Sequence, residues 1–224
     1  MAHIQTKAIV LSRTNYGEAD RIMNIITPDY GKMGVIARGV RREKSKLAGG
    51  IELLAISDLS IHQGKGNLSI VTSARLDTFF SHILRDYDRL QFAYYVLKDV
   101  SKASEVLPEP EFYEIAKVAL SSLDNTAIPL DVVSLWYRLQ MAILLGVGLN
   151  LATEARGEKL EIDKIYRFDV GEMALVEDPR GDIAAAHIKF LRVATSNSPD
   201  IINKVGGIGE VIDRCLRIAF VAHE

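Results

Sequence analysis

Residues 67–76, NLSIVTSARL, decide how the first third of this chain is read. Leu68, Ile70, Thr72, Ala74 and Leu76 fall on one side of an extended segment and Ser69, Ser73 and Arg75 on the other, with Val71 the exception. That period of two marks a strand with one buried face. Leu53 to His62 upstream has the same character, and Gln63-Gly64-Lys65-Gly66 between them supplies two glycines suited to a hairpin turn. Three more β-branched or apolar runs precede these: Thr6 to Ser12 (TKAIVLS), Arg21 to Thr27 (RIMNIIT) and Lys32 to Arg38 (KMGVIAR). The last two are separated by the turn signal Pro28-Asp29-Tyr30-Gly31. Five short strands within residues 1–80 predict a small closed β-barrel of the oligonucleotide-binding (OB) type, although an SH3-like barrel has a similar signature.

Beyond Phe80 the apolar period changes from two to 3.6, which predicts helices and places a domain boundary there. Leu90, Tyr94 and Leu97 begin one stripe. Phe112, Ile115, Ala116, Ala119, Leu120 and Leu123 form a second behind Pro108 and Pro110, and Val132, Leu135, Trp136, Leu139 and Ile143 form a third between Pro129 and Gly146. Two further stripes follow: Ile183, Ala186, Phe190, Leu191 and Ala194, then Ile208, Val211, Ile212, Cys215, Leu216 and Ala219. Antiparallel helices packed on these stripes make a bundle, with Phe92, Tyr94, Tyr95, Trp136 and Tyr137 expected to fill its core. Within it, Ile162 to Val176 (IDKIYRFDVGEMALV) is strand-like and predicts a small hairpin or an irregular insertion. The expected organisation is α+β: an OB domain over residues 1–80 and a helical domain over 81–224, with an irregular insertion at 151–182.

Composition excludes several classes. The 224 residues are 48% apolar and 25% charged, ordinary for a globular protein and unlike a disordered one. The longest uncharged apolar run, Met141 to Ala152, is interrupted by Gly146, Gly148 and Asn150 and is short of the roughly 20 residues a bilayer requires. Lys7 and Arg13 break the first apolar segment, so no signal peptide is read and a cytoplasmic, nucleoid-associated location is expected. One cysteine, Cys215, excludes an intrachain disulfide and a multi-thiolate site, and it lies on an apolar helix stripe. Five histidines, at 3, 62, 82, 187 and 223, have no ligand spacing, so no metal is expected. Gly206-Gly207-Ile208-Gly209 lacks a preceding strand and a Walker lysine and is read as a turn between helices.

The feature with chemical content is Arg38 to Lys46, RGVRREKSK, five cations and one glutamate between two strands. Residues 1–80 hold 11 Lys and Arg against 7 Asp and Glu, whereas residues 81–224 hold 16 against 22. A weakly basic module joined to an acidic one suggests a nucleic-acid face fused to a protein-binding face. If Arg38, Arg41, Arg42, Lys44 and Lys46 each met one phosphate, log affinity for a single strand would fall against log salt with a slope of roughly −3.5. Before Phe79 the only aromatic residues are Tyr16 and Tyr30, both read as turn residues, so a stacking platform is thin and backbone charge carries the expected binding.

The ordered motifs resemble the RecO family of bacterial recombination mediators. The resemblance lies in Tyr16-Gly17-Glu18-Ala19-Asp20-Arg21, in Thr27 followed by Gly31-Lys32, and in Gly39-Val40-Arg41-Arg42-Glu43-Lys44-Ser45-Lys46-Leu47. It extends through the helices as Leu144-Leu145-Gly146 and Leu149-Asn150-Leu151, and fades beyond. It implies an OB barrel followed by a helical domain, and a non-enzymatic protein without cofactors that binds single- and double-stranded DNA and anneals complementary strands. It also implies engagement of the acidic, apolar C-terminal tail of single-strand-binding protein and cooperation with RecR in loading RecA. The tail would need a hydrophobic pocket edged by Lys or Arg. Carried over residue by residue, the DNA role falls on Arg38, Arg41, Arg42, Lys44 and Lys46, with Arg13, Arg21 and Lys32 as additions. Many members hold zinc with four cysteines after the central helix. Leu151 to Arg180 contains none, so packing around Ile165, Tyr166, Phe168 and Val176 is expected in its place. A monomer is expected. An RNA-binding OB protein of translation or RNA processing is the rival reading, and a hydrolase or transferase the third; the last lacks a cluster of convergent titratable groups.

Overall fold

In β1 (His3–Tyr16) burial alternates residue by residue over its first half, with Ile4, Thr6 and Ala8 inward. This long strand serves two neighbours. Residues 3–9 pair with β4 (Ala55–His62), and residues 9–16 pair with β2 (Asp20–Thr27) across an irregularity between Val10 and Ser12. With β3 (Gly31–Ala37) and β5 (Ser69–Phe79), the sheet closes in the order β1-β2-β3-β5-β4, the OB-type barrel expected. Every pairing is antiparallel except β3 with β5, which is parallel at Val35↔Ser69 and Ile36↔Ile70. This computed structural model describes residues 3–63 and 68–223; the glycine turn read between β4 and β5 therefore lies outside the described residues.

Val10, Met23, Ile25, Val35, Leu59, Ile61 and Val71 fill the barrel, and Ile51 is fully buried among them. Each such side chain contributes roughly 1.5–3 kcal/mol on leaving water. A single 3₁₀ turn, Ala48–Gly50, delivers Ile51 by passing so close to β5 that a Cβ on Gly50 would lie 2.5 Å from the Ala74 carbonyl carbon. At the β2–β3 turn the buried Thr27 hydroxyl donates to the Gly31 carbonyl (3.0 Å) and accepts from the Tyr30 amide (3.1 Å).

The structure divides into two compact units, Met1–Asp124 and Asn125–Glu224. Strands do give way to helix at Phe80, but α1 (Tyr87–Val106) and α2 (Glu111–Asp124) belong to the first unit with the barrel. Asp86 caps α1 by accepting from the amides of Asp88 and Arg89. Asp124, at the end of α2, accepts from the His82 and Ile83 amides and holds the strand-to-helix connection. The buried stripe of α1 is Ala93, Val96, Leu97 and Val100; Tyr94 faces solvent, and Phe92 and Tyr95 are half-buried and stack on each other.

The second unit contains α3 (Leu130–Leu144), the hairpin β6 (Tyr166–Asp169) and β7 (Ala174–Glu177), α4 (Ala185–Ser196), the single turn α5 (Pro199–Ile202) and α6 (Ile208–Ala222). Helix α3 packs on α4 and α6, with Trp136 and Tyr137 buried as expected. Gly207, at φ 74°, is the turn residue before α6. His187 supplies a cap, its Nδ1 accepting from the Ala184 amide. The hairpin packs through Tyr166, Ala174 and Leu175, whereas Ile165, Phe168 and Val176 are only half-buried. Lys164 ties its ends by bridging Glu161 (2.7 Å) and Glu177 (3.0 Å), and those carboxylates raise its pKa. No described helix is long and apolar enough to cross a membrane.

Candidate nucleic-acid interface

The Arg38–Lys46 segment is a series of tight turns fixed at three points. Val40 inserts into the barrel core, only 3% exposed. The Gly39 amide donates to Asp20 Oδ1 (2.7 Å), and the Arg41 amide donates to the Ala19 carbonyl (2.9 Å). Gly39 sits at φ 65°, a left-handed conformation that glycine adopts without strain. Beyond it the Arg42 amide donates to the Gly39 carbonyl (3.1 Å) and the Ser45 amide to the Arg42 carbonyl (3.0 Å). The segment is thereby docked on the β1–β2 turn, and the sequence signal for this was the apolar Val40 within a charged run.

This anchoring leaves Arg38, Arg41, Arg42, Lys44 and Lys46 exposed, and none forms an ion pair among the described residues. The Arg41 guanidinium reaches the Gly17 carbonyl at 3.3 Å, which spends one donor and no charge. Arg21 joins them from β2, its Nε donating to Asn15 Oδ1 at 3.1 Å. Glu43 is the one carboxylate within the run.

The other two cations are placed differently. Arg13 bonds Glu52 at 2.6 Å, so its charge is compensated. Lys32 lies at the opposite end of β2, where its ammonium donates to the Ser101 carbonyl and Glu105, each at 2.6 Å, with 11% of its side chain exposed. The ammonium holds the Glu105 carboxyl below its ordinary pKa.

A groove of about 700 Å³ beside β1, β4, β5 and α2 is lined by titratable groups of both signs, most of them paired. Lys7 bonds Asp58 (3.3 Å) and Asp77 (2.8 Å), Arg75 bonds Asp58 (2.9 Å), and Lys117 bonds Glu114 (3.1 Å). Arg75, ahead of Lys7, depresses the Asp58 pKa. Among the described residues no group of three or more His, Cys, Asp and Glu is arranged to hold a metal ion. Cys215 is buried, and desolvation pushes its thiol up to about 12.

The second unit carries an apolar recess of about 320 Å³ lined by Phe168, Val170, Ile218 and Phe220 and edged by Arg214 and Arg217. Arg214 is held by Asp182 (2.7 Å), and the Arg138 guanidinium lies 4.4 Å over the Phe220 ring.

Residues 1–80 match the family described as recombination protein O, N terminal. The chain is 34% identical over 126 residues to the DNA repair protein RecO of Dehalococcoides mccartyi strain CBDB1, covering 56% of this chain and 49% of that protein. It is 35% identical over 123 residues to the protein of the same description from strain ATCC BAA-2266, covering 54% and 48%. The chain thus spans about half the length of the relatives it matches.

Proposed function

We propose, for a chain that belongs to the RecO family, a role in DNA repair and recombination: it holds DNA strands by their phosphates on the barrel and recruits protein partners through its helices. The observation that carries this reading is the cluster of exposed cations at Arg38, Arg41, Arg42, Lys44 and Lys46, free of ion pairs among the described residues, on a loop anchored to the β1–β2 turn. Phosphate contacts fix a strand without reading its sequence, so the base edges stay available for pairing. Charge neutralisation and local concentration of strands then accelerate annealing, with no covalent chemistry. The recess edged by Arg214 and Arg217 suits an acidic, apolar peptide such as the tail of single-strand-binding protein. Removing that protein from a coated strand, in concert with RecR, opens the strand to RecA. The test replaces Arg41, Arg42, Lys44 and Lys46 by Glu. Binding to single strands is expected to vanish while the melting temperature of the barrel is kept; retained affinity at moderate salt would refute the site.

A further inference from the structure

We infer that Tyr16 is a base-stacking residue of the nucleic-acid interface, holding one base of a strand whose phosphates lie on Arg41 and its neighbours. This rests on the strand-binding reading above and adds a non-electrostatic component to it. Tyr16 is the last residue of β1 and is 56% exposed. Its backbone position is fixed by pairing with Asp20, while its hydroxyl has no hydrogen bond among the described residues. More than half of the residue's surface is therefore open to a ligand. The next residue, Gly17, accepts the Arg41 guanidinium, and Asp20, opposite Tyr16, holds the Gly39 amide, so the loop of cations is docked on the turn that Tyr16 begins. A phosphate and its base are attached through one sugar. A strand seated on these arginines thus brings a base to the adjacent aromatic face. Stacking engages only the face of a base, leaving its pairing edge free, which agrees with a strand held ready for annealing.

Tyr30 supplies an internal control. It is 52% exposed, yet it belongs to the turn at the other end of β2, seven residues along the strand from Asp20. At about 3.3 Å per residue that is roughly 23 Å from Tyr16 and its arginines.

The experiment measures dissociation constants of the whole chain and its Tyr16→Ala, Tyr16→Phe and Tyr30→Ala variants for a 20-nucleotide oligo-dT and for an abasic strand of the same length, across a salt series. Tyr16→Ala is expected to weaken oligo-dT binding roughly 5- to 150-fold, the range of one lost base stack. The slope of log affinity against log salt stays unchanged. Tyr16→Phe and Tyr30→Ala stay within about twofold, and the abasic strand does not distinguish Tyr16→Ala from the parent. Equal losses on oligo-dT and abasic strand would make Tyr16 merely structural and overturn the inference, as would an unchanged affinity for oligo-dT. Absence of salt-sensitive binding by the unaltered chain would instead remove the strand-binding reading, and the inference with it.

Discussion

Neutralising Arg42 should change how binding depends on salt by an amount that counts phosphate contacts. Five loop cations are exposed and free of ion pairs among the described residues, so a fully engaged loop releases counterions in proportion to five contacts. On a single strand each contact contributes about −0.7 to the slope of log affinity against log salt, giving roughly −3.5 in all and roughly a hundredfold loss between 50 and 200 mM salt. Arg42→Ala should bring the slope to about −2.8, and Arg42→Ala with Lys44→Ala to about −2.1. Arg13→Ala and Lys32→Ala make the contrast. Arg13 is compensated by Glu52, and the Lys32 ammonium is enclosed by Ser101 and Glu105 at the far end of β2, so both variants should keep the full slope. Fluorescence anisotropy with labelled oligo-dT over 50–400 mM salt resolves these differences. A slope indifferent to Arg42 and Lys44, or one lowered as much by Lys32→Ala, would refute the assignment of phosphate contacts to the loop.

Two predictions concern the fold beneath the site. Gly50→Ala places a Cβ 2.5 Å from β5 backbone at Ala74 and should destabilise the barrel by about 1–3 kcal/mol, seen as a lower urea midpoint at unchanged m-value. Tyr113 is buried and its hydroxyl lacks a hydrogen-bond partner among the described residues, so Tyr113→Phe should be neutral or stabilise by up to about 1 kcal/mol at pH 7. Burial, chiefly, pushes that phenol up to about 12 from 10.0. A raised folded pKa gives stability that is whole below the unfolded value and lost as pH rises towards the folded one. The parent should therefore lose stability between about pH 10 and 12, and the Phe variant should lose less; equal alkaline losses in denaturant titrations would contradict this.

The barrel was legible because its strands are short, β-branched and bounded by turn residues. The facing and the end of β5 were not: Ser69 and Val71 point inward while Leu68, Thr72 and Leu76 are exposed, the reverse of the face expected, and Arg75 to Phe79 are all exposed, so no alternation extends the strand to Phe79. The phase of α1 was misjudged for a related reason. Tyr94 counted as apolar in the sequence, yet its face is turned to solvent and the small Ala93 lies in the interior. Among the site residues, the loop cations were visible as a charge run. Lys32 is near them in sequence, but the strand separating it from the β1–β2 turn carries it to the opposite end of the barrel. Arg13 loses its free charge to Glu52, 39 positions away, a pairing no local pattern contains. Tyr16 does end β1 at the β1–β2 turn, as read, but the docking of Arg41 on the neighbouring Gly17 joins residues 24 positions apart and has no local signal. The hairpin of the second unit was placed correctly, but its buried members Ala174 and Leu175 sit beside the residues chosen, since a four-residue strand gives too little sequence to fix which face points inward.

Annealing of complementary DNA strands precoated with single-strand-binding protein, followed beside the variant in which Arg41, Arg42, Lys44 and Lys46 are Glu, tests the central claim most directly. Rapid annealing by the parent chain and none by the variant is the predicted result. Failure of the parent chain to anneal coated strands, or equal annealing by both, would contradict it.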